Sequence, residues 1–195
     1  MSLVRLTQGQ TEKIQIDEGI VVFNLGESSE LVLGPTRGGA EFTATPSIRD
    51  IEYDGRVGKT MGLQVKDGED VTLKINTLNC SQETLKKAVP NGTIDTNDVL
   101  SQGDFGVIRN NNYIGTVSVI TKTLDGDFKI LTMKNAMHEG AFGFKAVQKA
   151  ENELNLEFIG HYDYTDPDDK IWSIKDSSTN PIASASSNAS DSEGD

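Results

Sequence analysis

Apolar residues in this chain recur with a period of two, in short runs separated by Gly, Asp and Asn, and only once with the period of a helix. That pattern confines the chain to a mainly β fold, because strand side chains alternate between faces while helix side chains return every three to four positions. In residues 40–46, Phe42 and Ala44 alternate with Glu41, Thr43 and Thr45. In residues 71–78, Val71, Leu73 and Ile75 alternate with Thr72, Lys74 and Asn76. In residues 153–162, Leu154, Leu156 and Phe158 alternate with Glu153, Asn155 and Glu157. Each run predicts a strand with one buried face and one wet face.

Residues 20–24 (IVVFN) read as a short buried strand, and residues 48–53 as a continuation of 40–46 after a break at Pro46. Residues 116–122 and 128–134 flank Leu124-Asp125-Gly126-Asp127, and Asp-Gly between two such runs signals a hairpin. Residues 141–148 and 153–162 are expected to flank a turn near 149–152, and 105–109 to form a short extra strand. The single helical stripe is Leu85, Ala88 and Val89. Ser81 is its predicted N-cap, Glu83 sits in its first turn, Lys86 and Lys87 suit its C-terminal dipole, and Pro90 and Gly92 stop it.

Residues 1–19 predict an N-terminal arm. Residues 54–70, bounded by two Asp-Gly pairs, predict a long loop between strands. Such loops are uncommon in compact domains unless they have a task. This one carries Val57, Met61, Leu63 and Val65, for which its own subunit offers no evident burial. From residue 177 the chain is Ser, Asn, Ala and acid, too poor in apolar residues to fold alone. The expected fold is one domain over 1–176, a β-sandwich or partly open barrel with one flanking helix, followed by a flexible polar tail over 177–195.

Charge and cysteine content narrow the function. A net charge of −12 repels the phosphates of free nucleic acid, which argues against a sequence-reading DNA binder. Cys80 is the lone cysteine, so no intrachain disulfide forms, and a reducing compartment is expected. No apolar run approaches the roughly 20 residues of a membrane span, and the opening MSLVRL has no signal-peptide apolar stretch.

Residues that could carry chemistry are sparse. No metalloprotease, redox-cysteine, serine-hydrolase or phosphate-loop spacing is present. His138 beside Glu139 is expected in a surface turn, and His161 lies far from it in sequence. Asp163, Asp166, Asp168 and Asp169 offer oxygen ligands but lack the spacing of a calcium loop, so a solvated acidic turn is expected. Cys80 reads as a small buried residue, and Gly-Pro-Thr-Arg-Gly-Gly (34–39) as a turn leading into a strand. Trp172 has two readings: an exposed interface anchor, or part of a final strand packed on the sheet. The chain is thus expected to have no catalytic residue, no cofactor and no metal.

Leu33-Gly34-Pro35-Thr36-Arg37-Gly38-Gly39-Ala40-Glu41-Phe42 leads into Ile48-Arg49-Asp50-Ile51-Glu52-Tyr53-Asp54-Gly55, and Gly58-Lys59-Thr60-Met61-Gly62-Leu63 follows. This progression resembles the N-terminal half of the major tail tube proteins of long-tailed, siphophage-type bacteriophages. It covers about residues 17–80, and the later helix and meander agree in order. The resemblance implies a structural virion protein that polymerises as stacked, hexameric rings into a tail tube. Strands of neighbouring subunits would close a barrel around a lumen through which DNA passes, without specific binding, during ejection into the host.

Assembly in the host cytoplasm, a place in the virion tail, and a tape measure protein and tail terminator or baseplate proteins as partners are implied as well. On this reading Val57, Met61, Leu63 and Val65 make contacts between rings. Glu41, Thr43, Thr45, Thr72, Lys74, Asn76, Glu153, Asn155 and Glu157 are candidates to line the lumen. The competing expectations are an inner tube or distal-tail protein of a contractile injection machine, and a small-molecule- or carbohydrate-binding β-sandwich. For the latter, Trp172 and four tyrosines are scattered along the sequence. An enzyme comes last, for want of paired catalytic groups.

Overall fold

The computed structural model describes residues 8–16, 19–143, 151–166 and 168–182. In chain order the elements are α1 (Gln8–Glu12), β1 (Ile20–Phe23), β2 (Leu31–Val32), β3 (Thr36–Asp50), β4 (Gln64–Thr77) and α2 (Gln82–Lys87). Then come β5 (Thr93–Ile94), β6 (Leu100–Ser101), a single 3-10 turn at Asn110–Asn112, β7 (Ile114–Lys122), β8 (Phe128–His138), β9 (Leu154–Gly160) and β10 (Trp172–Ser177). The fold is mainly β, as the alternation requires.

One antiparallel sheet runs β2-β1-β7-β8-β9-β4-β3, and β10 adds to it as a branch on β8. The branch explains how one sheet encloses a core. Along Phe128–Met133, β8 pairs with β10, whereas along Ala136–His138 it pairs with β9. The exchange falls at Asn135, which has a left-handed φ of 48°. The sheet thereby parts into two leaves that fold over each other. Phe23 of β1 meets Phe158 of β9 edge-on at 5.6 Å, and Trp172 of β10 lies 5.4 Å from Phe42 of β3. Val21, Leu73, Ile75, Val117, Met133 and Leu156 fill the space between.

The predicted helix forms. Ser81 Oγ accepts a hydrogen bond from the Thr84 N–H at 3.3 Å, and Leu85 and Ala88 dock on the core. Trp172 follows the sheet-packed reading, since its strand pairs with β8 and its indole N–H donates to Glu69 at 2.8 Å.

Several expectations need correction. Pro46 does not break the strand: β3 lies at the edge of the sheet, where a missing N–H on the outer side costs nothing. The second Asp-Gly, Asp67-Gly68, is a bulge rather than a turn. Pairing jumps from Ser47–Gly68 to Ile48–Lys66, leaving Asp67 as the extra residue. The long loop is therefore 51–63, not 54–70, and Val65 belongs to β4 opposite Arg49.

Gly38 and Gly39, with φ of 78° and 76°, form another irregularity inside β3 instead of a turn before it. No strand forms at 105–109 or 141–143, and residues 144–150 lie outside the described residues. Cys80 is half-buried rather than buried. Residue 177, expected to open the tail, closes β10 opposite Phe128, and Ile182 packs on Val22, Ile120 and Ile130. Residues 183–195, like 1–7 of the arm, fall outside the described residues.

Candidate assembly surface

The ladders β3–β4 and β4–β9 decide which polar side chains are neighbours. Glu41 pairs with Lys74 and Lys74 with Glu157; Thr43 pairs with Thr72, Asn76 with Asn155, and Thr45 with Asp70. Directly paired residues share a face, so eight of the nine lumen candidates form one continuous polar surface. Glu153, just ahead of β9, joins it through an ion pair with Arg37 at 2.6 Å. The reverse of the same strands carries Phe42, Leu73, Ile75, Leu156 and Phe158 into the core.

Carboxylates predominate on the polar surface. Lys74 pairs with Glu157 at 3.3 Å, and Arg37 holds both Glu153 and Glu151. Glu41 and Asp70 have no cation within ion-pair distance among the described residues. Exposed pairs of this kind add little to stability. Their larger effect is on the field the surface presents.

The outer edge of β3 has no partner among the described residues, over a 15-residue strand. Unpaired N–H and C=O rows of that length invite another chain. Past the end of β9, the strands β3 and β4 continue as a projecting hairpin that closes through residues 51–63.

This tip is ordered by its own bonds. Ile51 N–H donates to Leu63 O at 2.8 Å, Arg56 reaches Asp50 at 2.7 Å and Gly58 O at 2.7 Å, and Gln64 donates to Asp50 at 2.8 Å. The Gln64 bond first, and then Arg56, hold the Asp50 carboxyl below its ordinary value. Of the four apolar residues singled out, Leu63 and Val65 are half-buried. Val57 and Met61 are 102% and 98% exposed. Ile48, Ile51 and Tyr53 extend the apolar character down the hairpin.

A second apolar projection escaped the sequence reading. Phe105 and Val107, 95% and 87% exposed, stand on the loop after β6. The loop is pinned by Asn91, whose side chain donates to Asp104 O at 3.2 Å, and by Gly103, where a Cβ would lie 2.3 Å from Pro90 O. The available signal is a short apolar run, Phe105, Val107 and Ile108, in a polar segment; the same run predicts a strand, but none forms at 105–109.

The histidines divide. His138, expected in a surface turn, is 1% exposed inside β8. Its Nδ1 accepts the Glu157 N–H at 3.0 Å, and its Nε2 meets no partner within hydrogen-bond geometry among the described residues. Glu139 instead engages His161 Nε2 at 3.0 Å. Burial pushes the His138 imidazole below its ordinary value of 6.5. Below that pH the unfolded chain binds a proton that the folded chain refuses, so stability falls as pH drops through it. The melting temperature should therefore decline between about pH 7 and about pH 5, and His138→Gln should flatten part of the decline. Melting curves across that range check this, and equal slopes for the two proteins would refute it.

In the acidic segment, Asp169 is taken by Lys134 at 2.7 Å, and Asp163 accepts from Thr165. Among the described residues no group of three or more His, Cys, Asp or Glu side chains converges as a metal site.

No protein-family model matches the chain, and no curated protein sequence matches it significantly. Among solved structures, it is similar to a chain described as the virion of a native gene transfer agent (GTA) particle. The TM-score is 0.45 at 9% identity, covering 81% of this chain and 95% of that one. A chain described as the tail of an empty GTA particle, from helical refinement with C6 symmetry, gives a TM-score of 0.46 at 10% identity, covering 81% of this chain and 96% of that one.

Proposed function

We propose that this protein is a structural subunit that polymerises, as stacked rings of six, into the tail tube of a siphophage-type particle. The observation that carries the reading is the β3–β4 hairpin. It joins an unpaired edge, a face divided into apolar and polar sides, and a self-ordered tip bearing two fully exposed apolar side chains. An isolated subunit uses the apolar side for its core but gains nothing from the open edge or the exposed tip. In a ring, the β3 edge finds a strand of the neighbouring copy and ceases to be a liability. In a stack, Val57 and Met61 leave water against the next ring. The polar surface from Glu41 to Glu157 then faces the lumen.

A mostly acidic lumen suits passage of DNA. Attraction would be multiplied around each ring and along the stack, and would stall the strand. Repulsion, screened over roughly 8 Å at physiological salt, keeps a water layer between wall and phosphate. Tape measure, terminator and baseplate proteins are the partners this role requires, with assembly in the host cytoplasm.

Cysteines at Thr43 and Asn76, in a Cys80→Ser background, test the assignment. Both sites should label readily with a bulky maleimide in the dissociated subunit and become protected in assembled tubes. Equal labelling in both states would place this face outside and overturn the lumen assignment.

A further inference from the structure

Three of the four tyrosines, Tyr113 and the distant pair Tyr162 and Tyr164, converge on one pocket of about 270 Å³. Tyr113, Tyr162 and Tyr164 line it together with Asn110, Asn135 and Asp163. From this geometry we infer a binding site for a single uncharged sugar ring, a function separate from assembly.

The site is built on fixed parts. The Tyr113 ring stands edge-on to the His161 ring at 5.0 Å. His161 is held at both nitrogens, by Asn135 O at 3.1 Å and by Glu139 at 3.0 Å. Asn135 occupies a left-handed conformation in mid-strand, which Asn tolerates better than other side chains and which turns the strand at this point. Its amide N–H donates to His161 O at 3.2 Å, and its Oδ1 accepts no hydrogen bond among the described residues. Asp163 commits one oxygen to Thr165 and keeps the other. Tyr162 and Tyr164 are exposed and make no hydrogen bond through their hydroxyls among the described residues.

The chemistry of the lining selects the ligand. Aromatic faces take the C–H face of a pyranose, while amide, carboxylate and phenol groups take its hydroxyls. A purely apolar ligand would strand Asn135 and Asp163 without partners. An anionic one would meet Asp163 and nearby Asp166 and Asp168. The volume falls just under the roughly 300–1,000 Å³ of ordinary ligand pockets, which suits one ring and not a chain of them. An open site of this size should bind weakly, with Kd about 1 mM.

Titration of the full-length protein with methyl hexopyranosides, followed by saturation-transfer NMR and amide shifts, tests the inference. Saturable binding of at least one neutral sugar is expected, with shifts centred on Asn135, His161 and Tyr164. Tyr164→Ser and Asp163→Ala should each weaken it by about tenfold, the loss of one stacking face or one strong acceptor. Both side chains are exposed, so Tyr164→Ser should keep the parent melting temperature and Asp163→Ala, which gives up only its local bonds to Thr165, should lower it slightly at most. No saturable response up to about 50 mM of any neutral sugar would overturn the proposal. So would unchanged binding by the two variants, or a response to sulfated sugars only.

Discussion

Val57→Ser combined with Met61→Ser should leave a folded subunit that no longer grows into tubes. Both side chains are fully exposed, so replacing them removes almost no buried area within the subunit, and the melting temperature should hold within experimental error. In a polymer the same atoms would be buried at every ring junction. Fully burying a residue of this size is worth about 1.5–3 kcal/mol, repeated around each ring. The critical concentration for assembly should therefore rise by orders of magnitude. Sedimentation and negative-stain microscopy would read the outcome. Tubes of normal length from the double variant would eliminate the tip as a ring-to-ring contact. A large fall in melting temperature would instead make it part of the subunit core. Leu63→Ser is a poor substitute for this experiment, because Leu63 is half-buried and its backbone closes the hairpin onto Ile51.

Phe158→Ala should have the opposite profile, destroying the subunit before any question of assembly arises. Phe158 is completely buried, touches Phe23 across the two leaves and supports the His138 ring at 6.0 Å. Removing an aromatic ring from such a place costs about 3–5 kcal/mol. Total stability for a domain is about 5–15 kcal/mol, so the variant would be marginal or insoluble. Denaturant titration gives the test. A midpoint close to the parent would mean that the two leaves do not pack through this residue.

Period-two alternation made β3, β4 and β9 legible because the face of a side chain along a strand is a local property. Sheet register then places Glu41, Lys74 and Glu157 side by side, which alternation alone cannot specify. Asp67-Gly68 misled because a bulge and a turn use the same residues, and only the partner strand tells them apart. His138 was misplaced since a polar residue beside Glu139 and Gly140 looks exposed. Its burial depends on Phe158 and on a backbone N–H from β9, both distant in sequence. The tyrosine pocket was invisible for the same reason. Tyr113 and Tyr164 become neighbours only when β7 and β9 flank β8. Nothing in the sequence hinted at the branching of β8, whose two sets of partners lie on either side of Asn135.

That branching has a kinetic corollary. β8 cannot complete its ladders until β9 and β10 have been synthesised, and β4 waits for the same β9. Closing such distant ladders places the folding time among those of β proteins, milliseconds to seconds. The β3–β4 hairpin is contiguous and can zip in microseconds. A nascent chain thus forms this hairpin, with its unpaired outer edge, well before it owns a core, and a cell producing many copies at once must fold them faster than they can find one another.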